Sequence, residues 1–367
     1  MRECEYDVQS GRRAGMFADR SPGGYEMTNQ PESVLFKPSP DGGGQCLACA
    51  HYCRIPEGKT GRCGQRKVVN GELRVPRDIV AGLAVDPMEK KPLYHFFPGE
   101  TVLSFGTLGC NFHCPFCQNW ETSQVGQDPA ALGTARDCSA KRMVDLAVQN
   151  GSRAIASTYN EPLISAEWTA EVLARGQDAG LKGCLISNGF GSKEAWDRLN
   201  PVVDAINIDL KCFREEGYRR LGGRLAPVLD AIRRWHGEGK WVELTTLVVP
   251  GFNDSDEELE QIIDFIAGLD VNIPWHVSAY FSAYRMPAEP RATPPERLQT
   301  AVARARQAGL RFVYTGNVSG TDTHDDTFCP GCGVVMISRR GYTVRSNAVK
   351  RGRCPHCNSK IAGRFDD

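Results

Sequence analysis

The sequence predicts an α/β protein built on a (β/α) barrel of the TIM type, full or partial, with a small cysteine-rich module at each end. Two observations carry that prediction. Between residues 98 and 326, short β-prone runs alternate with stretches of helical period, which is the pattern of right-handed crossovers onto a parallel sheet. Outside that span the composition shifts to glycine, cysteine and basic residues, and 11 of the 15 cysteines of the chain fall into three tight groups. A doubly wound open sheet is the alternative that spacing alone leaves standing.

A chain of 367 residues has ample capacity to bury a core, and its 41% hydrophobic and 24% charged residues place it among globular proteins. Lysine plus arginine (44) equals aspartate plus glutamate (44), so no field of one sign holds the whole molecule to nucleic acid or lipid. No apolar run approaches the roughly 18 residues of a membrane span, and residues 1–30 lack the apolar centre of a signal peptide. The expectation is a cytoplasmic protein without membrane contact.

The elements follow in order. Residues 1–45, with Gly-Gly and Gly-Gly-Gly runs and no lasting apolar period, read as a disordered arm. Residues 46–97 form an N-terminal cysteine-rich module and lead-in. Within the barrel, 98–326, strands are expected at 101–105, 153–158, 181–187, 205–210, 241–248, 275–279 and 311–314. Helices are expected at 138–149, 164–179, 193–199, 226–236, 255–266 and 294–308, the fifth capped by Asp254 or Ser255. Chemistry in such a barrel belongs at the C-terminal ends of the strands. Residues 327–367 form a compact zinc-ribbon-like module.

An odd number of cysteines in a cytosolic chain points to metal ligation rather than to disulfides. Cys329-Pro330-Gly331-Cys332 and Cys354-Pro355-His356-Cys357 are separated by the 21 residues 333–353. Two such knuckles on a β-ribbon make a tetrahedral four-thiolate site, read as zinc with rubredoxin-like iron as competitor. From residue 328 onward basic residues outnumber acidic ones eight to two, Arg339 among them, which reads as a solvated ribbon face. Cys46, Cys49, Cys53 and Cys63 form the N-terminal group, where zinc and an auxiliary iron–sulfur cluster are equally compatible with the ligands. Cys110, Cys114 and Cys117 lie in one loop directly after the first barrel strand. Three thiolates leave one iron of a four-iron cluster open to a non-protein ligand, whereas a structural zinc site closes with four ligands. A zinc knot completed by His113 is the other reading of that loop.

The loop Cys110-Asn111-Phe112-His113-Cys114-Pro115-Phe116-Cys117 resembles the radical S-adenosylmethionine (SAM) superfamily. The resemblance continues through Thr158-Tyr159-Asn160-Glu161-Pro162, Ser187-Asn188-Gly189 and Asp209-Leu210-Lys211, each after a successive strand. Asp86 to Phe96, Cys117-Gln118-Asn119-Trp120, Pro274-Trp275-His276 and Gly316-Asn317-Val318 are similar to the AmmeMemoRadiSam-system radical SAM family, a relative of the pyruvate formate-lyase activating enzymes. The departures are Asn160 in place of the commoner glycine, Ile186 where the activases have an aspartate, and Tyr280-Phe281 after Pro274-Trp275-His276, where the family usually continues toward an arginine–phenylalanine pair.

What the resemblance implies is a [4Fe–4S] cluster on Cys110, Cys114 and Cys117 that reductively cleaves SAM to a 5′-deoxyadenosyl radical, which abstracts hydrogen from a substrate. SAM would meet Phe116, Asn160, Glu161, Ser187, Asn188 and Asp209, with Glu161 accepting from the SAM ammonium. Lys211 and His276 are the candidates for substrate positioning or proton handling. The resemblance supplies no substrate; a protein segment is expected because a cysteine module on each side of the barrel is more than a pocket for a small metabolite needs, with an electron donor of the flavodoxin or ferredoxin class as partner and RNA a weaker choice. The rival class is a non-catalytic multi-zinc scaffold or RNA-binding protein.

Overall fold

Six serial strand–helix units and a closing strand make up the centre of the molecule, and each begins where the sequence supplies a cap or a buried β-run. A computed structural model describes residues 34–286, 292–318 and 325–365. The strands of the main sheet are β1 (Gly82–Pro87), β2 (Thr101–Gly106), β3 (Ala154–Ser157), β4 (Lys182–Ser187), β5 (Ala205–Asp209), β6 (Trp241–Val248), β7 (Trp275–Ala279) and β8 (Val313–Gly316). They lie in sequence order; β1 pairs antiparallel with β2, and every later neighbour is parallel. Buried on both faces, the central strands read as almost continuous apolar runs, as parallel strands do.

The outer layer is α1 (Ala140–Gln149), α2 (Ala166–Asp178), α3 (Lys193–Leu199), α4 (Leu225–Gly237), α5 (Asp256–Leu269) and α6 (Pro295–Gln307). Serine hydroxyls cap three of them: Ser139 accepts from Arg142 N, Ser192 from Ala195 N and Ser255 from Glu258 N. Each satisfies a backbone donor the helix itself cannot. In α1, Met143, Val144, Leu146 and Ala147 are buried, one apolar stripe turned to the sheet. The expected strands and helices therefore stand, with ends displaced by at most three residues.

Three differences matter. The expected arm spans 1–45. Residues 1–33 lie outside the described residues, but Phe36–Pro38 pairs antiparallel with Gly44–Cys46, which pairs in turn with Arg54–Ile55. Gly82–Pro87, taken as lead-in, is the edge strand β1 of the main sheet. Only Leu83 and Asp86 of its six residues are buried, so no continuous apolar run marks it in the sequence.

The third difference concerns the C-terminal ribbon. β8 and β1 stand at opposite ends of the sheet order and do not pair, so the barrel is partial. Tyr94, Phe312 and Tyr314 share one apolar core with Cys329, Met336, Ile337, Cys354 and Ile361. Arg339, expected on a solvated face, is buried instead. It donates to Tyr94 O (2.7 Å), Thr327 Oγ1 (2.9 Å), Asp325 O (3.1 Å) and Glu89 Oε1 (3.3 Å). Tyr314 of β8 meets Thr327 Oγ1 at 2.8 Å, and Glu89 follows β1 directly. The ribbon thus touches both ends of the open sheet and packs against the barrel rather than standing apart.

Candidate active site

A cleft of about 350 Å³ opens at the carboxyl ends of the parallel strands, where loop residues converge and strand backbone no longer fills the interior. Cys110, Cys114 and Cys117 line one wall of it. Burial pushes all three thiols up, Cys114 to about 12. Thiolates so placed need a metal to offset their charge. Phe116 is buried beside them and meets Phe252 with ring centroids 5.5 Å apart.

Glu161, at the end of β3, faces the same cleft and is 3% exposed. Its carboxylate accepts from Ser187 Oγ (2.8 Å), Asn188 N (2.8 Å) and Leu163 N (3.2 Å). Burial nevertheless pushes the carboxyl up to about 7. Tyr159, two residues earlier, turns the chain at φ +68°, a left-handed conformation that bulky residues rarely adopt. Asn160 lines the cleft, but its amide is spent on the neighbouring loop: Oδ1 accepts from Thr107 N (2.9 Å), and Nδ2 donates to Gly109 O (2.9 Å) and Thr107 Oγ1 (3.1 Å). It fixes the approach to Cys110. Asn188 Nδ2 donates to Asn111 Oδ1 at 2.7 Å, which ties the turn after β4 to the cysteine loop.

Across the cleft, Lys211 Nζ lies 3.0 Å from Asp209 Oδ2. Burial works against its charge, yet the Asp209 carboxylate and the Cys114 sulfur hold the ammonium above the ordinary lysine range. His276 projects from β7 onto the cleft and gives Nε2 to Glu243 Oε2 at 2.7 Å. Fully buried Glu243 also accepts from Tyr94 N (2.9 Å), His95 N (2.8 Å) and Trp241 Nε1 (2.9 Å). Burial opposes its ionisation, but these donors outweigh it and hold the carboxyl below the usual range. In a neutral His276 ring that donates from Nε2, Nδ1 is the acceptor. A hydrogen-bond acceptor fixed by a buried carboxylate at a cleft wall is an arrangement suited to holding or taking a proton.

The structure therefore brings together Cys110, Cys114, Cys117, Phe116, Asn160, Glu161, Asn188, Asp209, Lys211 and His276 around one cleft, with Ser187 directly behind Glu161. The N-terminal and ribbon cysteines lie elsewhere. Glu243 went unread in the sequence, and Glu89 and Tyr94, inside the Asp86 to Phe96 motif, were given no role of their own, nor was Tyr342, although these three line the cleft. Glu243 carried a signal, since it is a carboxylate set between Val242 and Leu244 in a buried strand. Tyr342 carried none, because only folding brings the turn of the ribbon to the barrel.

The family model described as "Radical SAM superfamily" matches residues 105–266. The chain carries a radical SAM superfamily domain. Its radical SAM domain covers the strands and loops from the cysteine loop to α5, and such a domain implies binding of SAM and a [4Fe–4S] cluster. The donor set fits both groups: three thiols share one wall, and a buried carboxylate faces the same space. The chain is 35% identical over 334 residues to the uncharacterized protein MJ0808 of Methanocaldococcus jannaschii, covering 90% of this chain and 98% of that protein. It is 26% identical over 272 residues to a probable dual-specificity RNA methyltransferase RlmN of Treponema pallidum, covering 68% and 73%. It is also 24% identical over 181 residues to the pyruvate formate-lyase-activating enzyme of Streptococcus mutans, covering 47% and 68%.

In the ribbon, the sulfurs of Cys329, Cys332, Cys354 and Cys357 all lie within 4.8 Å of one another, an arrangement that can hold one metal ion. Among the described residues no helix is long and apolar enough to cross a membrane.

Proposed function

We propose that the protein is a SAM-cleaving radical enzyme that draws a hydrogen atom from a protein segment, reduced by a donor of the flavodoxin or ferredoxin class. One observation carries the reading: three thiols and the Glu161 carboxylate, supplied by successive strand ends, meet in one cleft. In this reading Cys110, Cys114 and Cys117 hold the [4Fe–4S] cluster, and Glu161 accepts from the ammonium of SAM with Ser187 and Asn188 fixing its oxygens. When bound, cluster and SAM together supply the 5′-deoxyadenosyl radical.

The protein's own side chains do the rest. Phe116 closes the apolar wall behind the cysteine loop. Asn160 fixes the backbone at Thr107 and Gly109, so the loop enters the cleft in one conformation. The Asp209–Lys211 pair holds a cation beside Cys114. His276, oriented by Glu243, presents its acceptor to substrate. Similarity to a pyruvate formate-lyase-activating enzyme supports a protein substrate, as does a cleft whose outer wall carries the exposed ring of Tyr342. Zinc is the ion assigned to the ribbon, whose closed thiolate shell leaves no position for substrate.

Replacing Cys110, Cys114 and Cys117 together by alanine is expected to abolish formation of 5′-deoxyadenosine from SAM under dithionite in anaerobically reconstituted protein. Persistence of that product at wild-type rate refutes the assignment.

A further inference from the structure

The three cysteine groups differ in spacing, and the difference is chemical. Four sulfurs bound about 2.3 Å from a single zinc ion stand about 3.8 Å apart by tetrahedral geometry. The ribbon matches this, with Cys329 and Cys357 at 3.5 Å and Cys332 and Cys354 at 3.7 Å. Ligands to a four-iron cluster sit on separate irons, so their sulfurs stand further apart. Among the described residues, the ribbon is the group of three or more whose ligand atoms all lie within 4.8 Å; neither the Cys110 loop nor the N-terminal cysteines meet that spacing. The N-terminal group shares the open arrangement of the cluster loop, not the closed one of the ribbon.

These four cysteines surround a common space. Cys46, Cys49, Cys53 and Cys63 line one small cavity, and all four are free of disulfides. Two buried residues that carry nitrogen donors adjoin the same group. Arg66, 2% exposed and paired with Glu167 at 2.7 Å, donates from Nε to Cys46 Sγ at 3.2 Å. Asn111, 1% exposed, lines the cavity as well, and its Nδ2 is buried without a hydrogen-bond partner. A native fold seldom buries an unpaired amide donor, so the Asn111 amide calls for an acceptor close by, between this cavity and Cys110. Sulfide and thiolate of an iron–sulfur cluster are such acceptors, and hydrogen bonds to those sulfurs tune a cluster's potential. Thiolates on a lone zinc accept such bonds as well, so the donors mark these cysteines as a metal site and their spacing is what separates a cluster from a single ion.

The cavity also adjoins the cluster loop. Asn111 follows Cys110, and His51 Nε2 lies 3.0 Å from Asn111 O. A Cβ on Gly109, which precedes Cys110 at φ +85°, would stand 2.8 Å from Cys63 O, so the two loops touch backbone to backbone. Cys49 forms a β-bridge with Gly191, just beyond the Asn188 turn.

We infer that Cys46, Cys49, Cys53 and Cys63 bind a second [4Fe–4S] cluster, a one-electron site set directly against the loop of Cys110. The adjacency rests on the cluster reading of that loop; the site itself does not. The test is full-length protein reconstituted anaerobically with iron and sulfide, as wild type and as C110A/C114A/C117A and C49S/C63S. The expected yield, beyond the ribbon's ion, is about eight iron and eight sulfide per wild-type chain and about four of each in either variant. The triple variant should keep an EPR signal on reduction that SAM leaves unmoved. In reduced wild type the two paramagnets should broaden each other's signals, and both variants should lose that broadening. A triple variant with one zinc, or no metal, at the N-terminal group overturns the inference, whether or not C49S/C63S folds. Four irons in both wild type and triple variant support it, and refute instead the reading of the Cys110 loop.

Discussion

Glu161 is a carboxylate that the fold keeps dry until a cation reaches it. Its three donors favour the charged form, yet desolvation wins and pushes the carboxyl from 4.5 up to about 7. The consequence for stability follows from linkage. A carboxyl whose folded pKa is raised costs nothing below 4.5, where both states are protonated, and opposes folding progressively as pH rises through about 7. For ligand binding the direction is opposite, because only the ionised form accepts well from an ammonium. SAM affinity is therefore expected to strengthen as pH rises through about 7. Glu161→Gln is expected to weaken SAM binding by about 1–2 kcal/mol and to flatten that pH dependence, with the cluster intact. Calorimetric titration of reconstituted protein across pH 6 to 8 checks both. The motif around Glu161 was legible in the sequence by its place after the second strand. That Asn160 spends its amide on Thr107 and Gly109 was not, because the choice between ligand and loop staple depends on which way the turn at Tyr159 points.

At the scale of elements, one arginine joins the ribbon to the barrel. The side chains of Arg339 and Glu89 are both 0% exposed, and the guanidinium lies over the Tyr94 ring at 4.5 Å. Burial pushes the Glu89 carboxyl up and Arg339 draws it back. Removing one member of a buried pair leaves the other charged and unsolvated, at a cost of about 3–5 kcal/mol. Arg339→Met is expected to destabilise the protein by that order, and Glu89→Gln in the same chain to restore part of it. Denaturant unfolding of the two variants measures the difference. The sequence counted Arg339 among the charges of a solvated face, since composition along a ribbon does not say which side meets the barrel. Register decides it: Arg339 pairs with Val344 across the hairpin, beside Ile337 and Met336, whose side chains belong to the shared core.

For the whole molecule, a metal ion on the four thiols of the ribbon would support more than the ribbon. Its thiols hold a module whose core includes Tyr94, Phe312 and Tyr314 of the barrel and whose turn carries Tyr342 to the cleft. Cys354→Ser, or chelation of the ion, is expected to raise hydrogen exchange in residues 88–97 as well as in 327–365, because both lose the same packing. Exchange confined to the ribbon would show that the barrel holds Tyr94 alone. Elemental analysis of the same protein identifies the ion: one zinc per chain is expected, and one iron assigns a rubredoxin-like site instead.

The sequence by itself determined the alternation of β2 to β8 with their helices, the cap of α5, the grouping of the cysteines and the polar residues at successive strand ends. These are local properties: period, propensity and ligand spacing act over a few residues and are written in order along the chain. Only the tertiary structure decided that the sheet stays open between β8 and β1, that the ribbon packs there through Arg339, and that Glu243 fixes His276. It likewise decided that two cysteine groups, one before and one after β1, meet across Asn111. Each of these joins residues far apart in the chain, and the burial that makes a charge, a thiol or an amide significant exists only once both sides are in place.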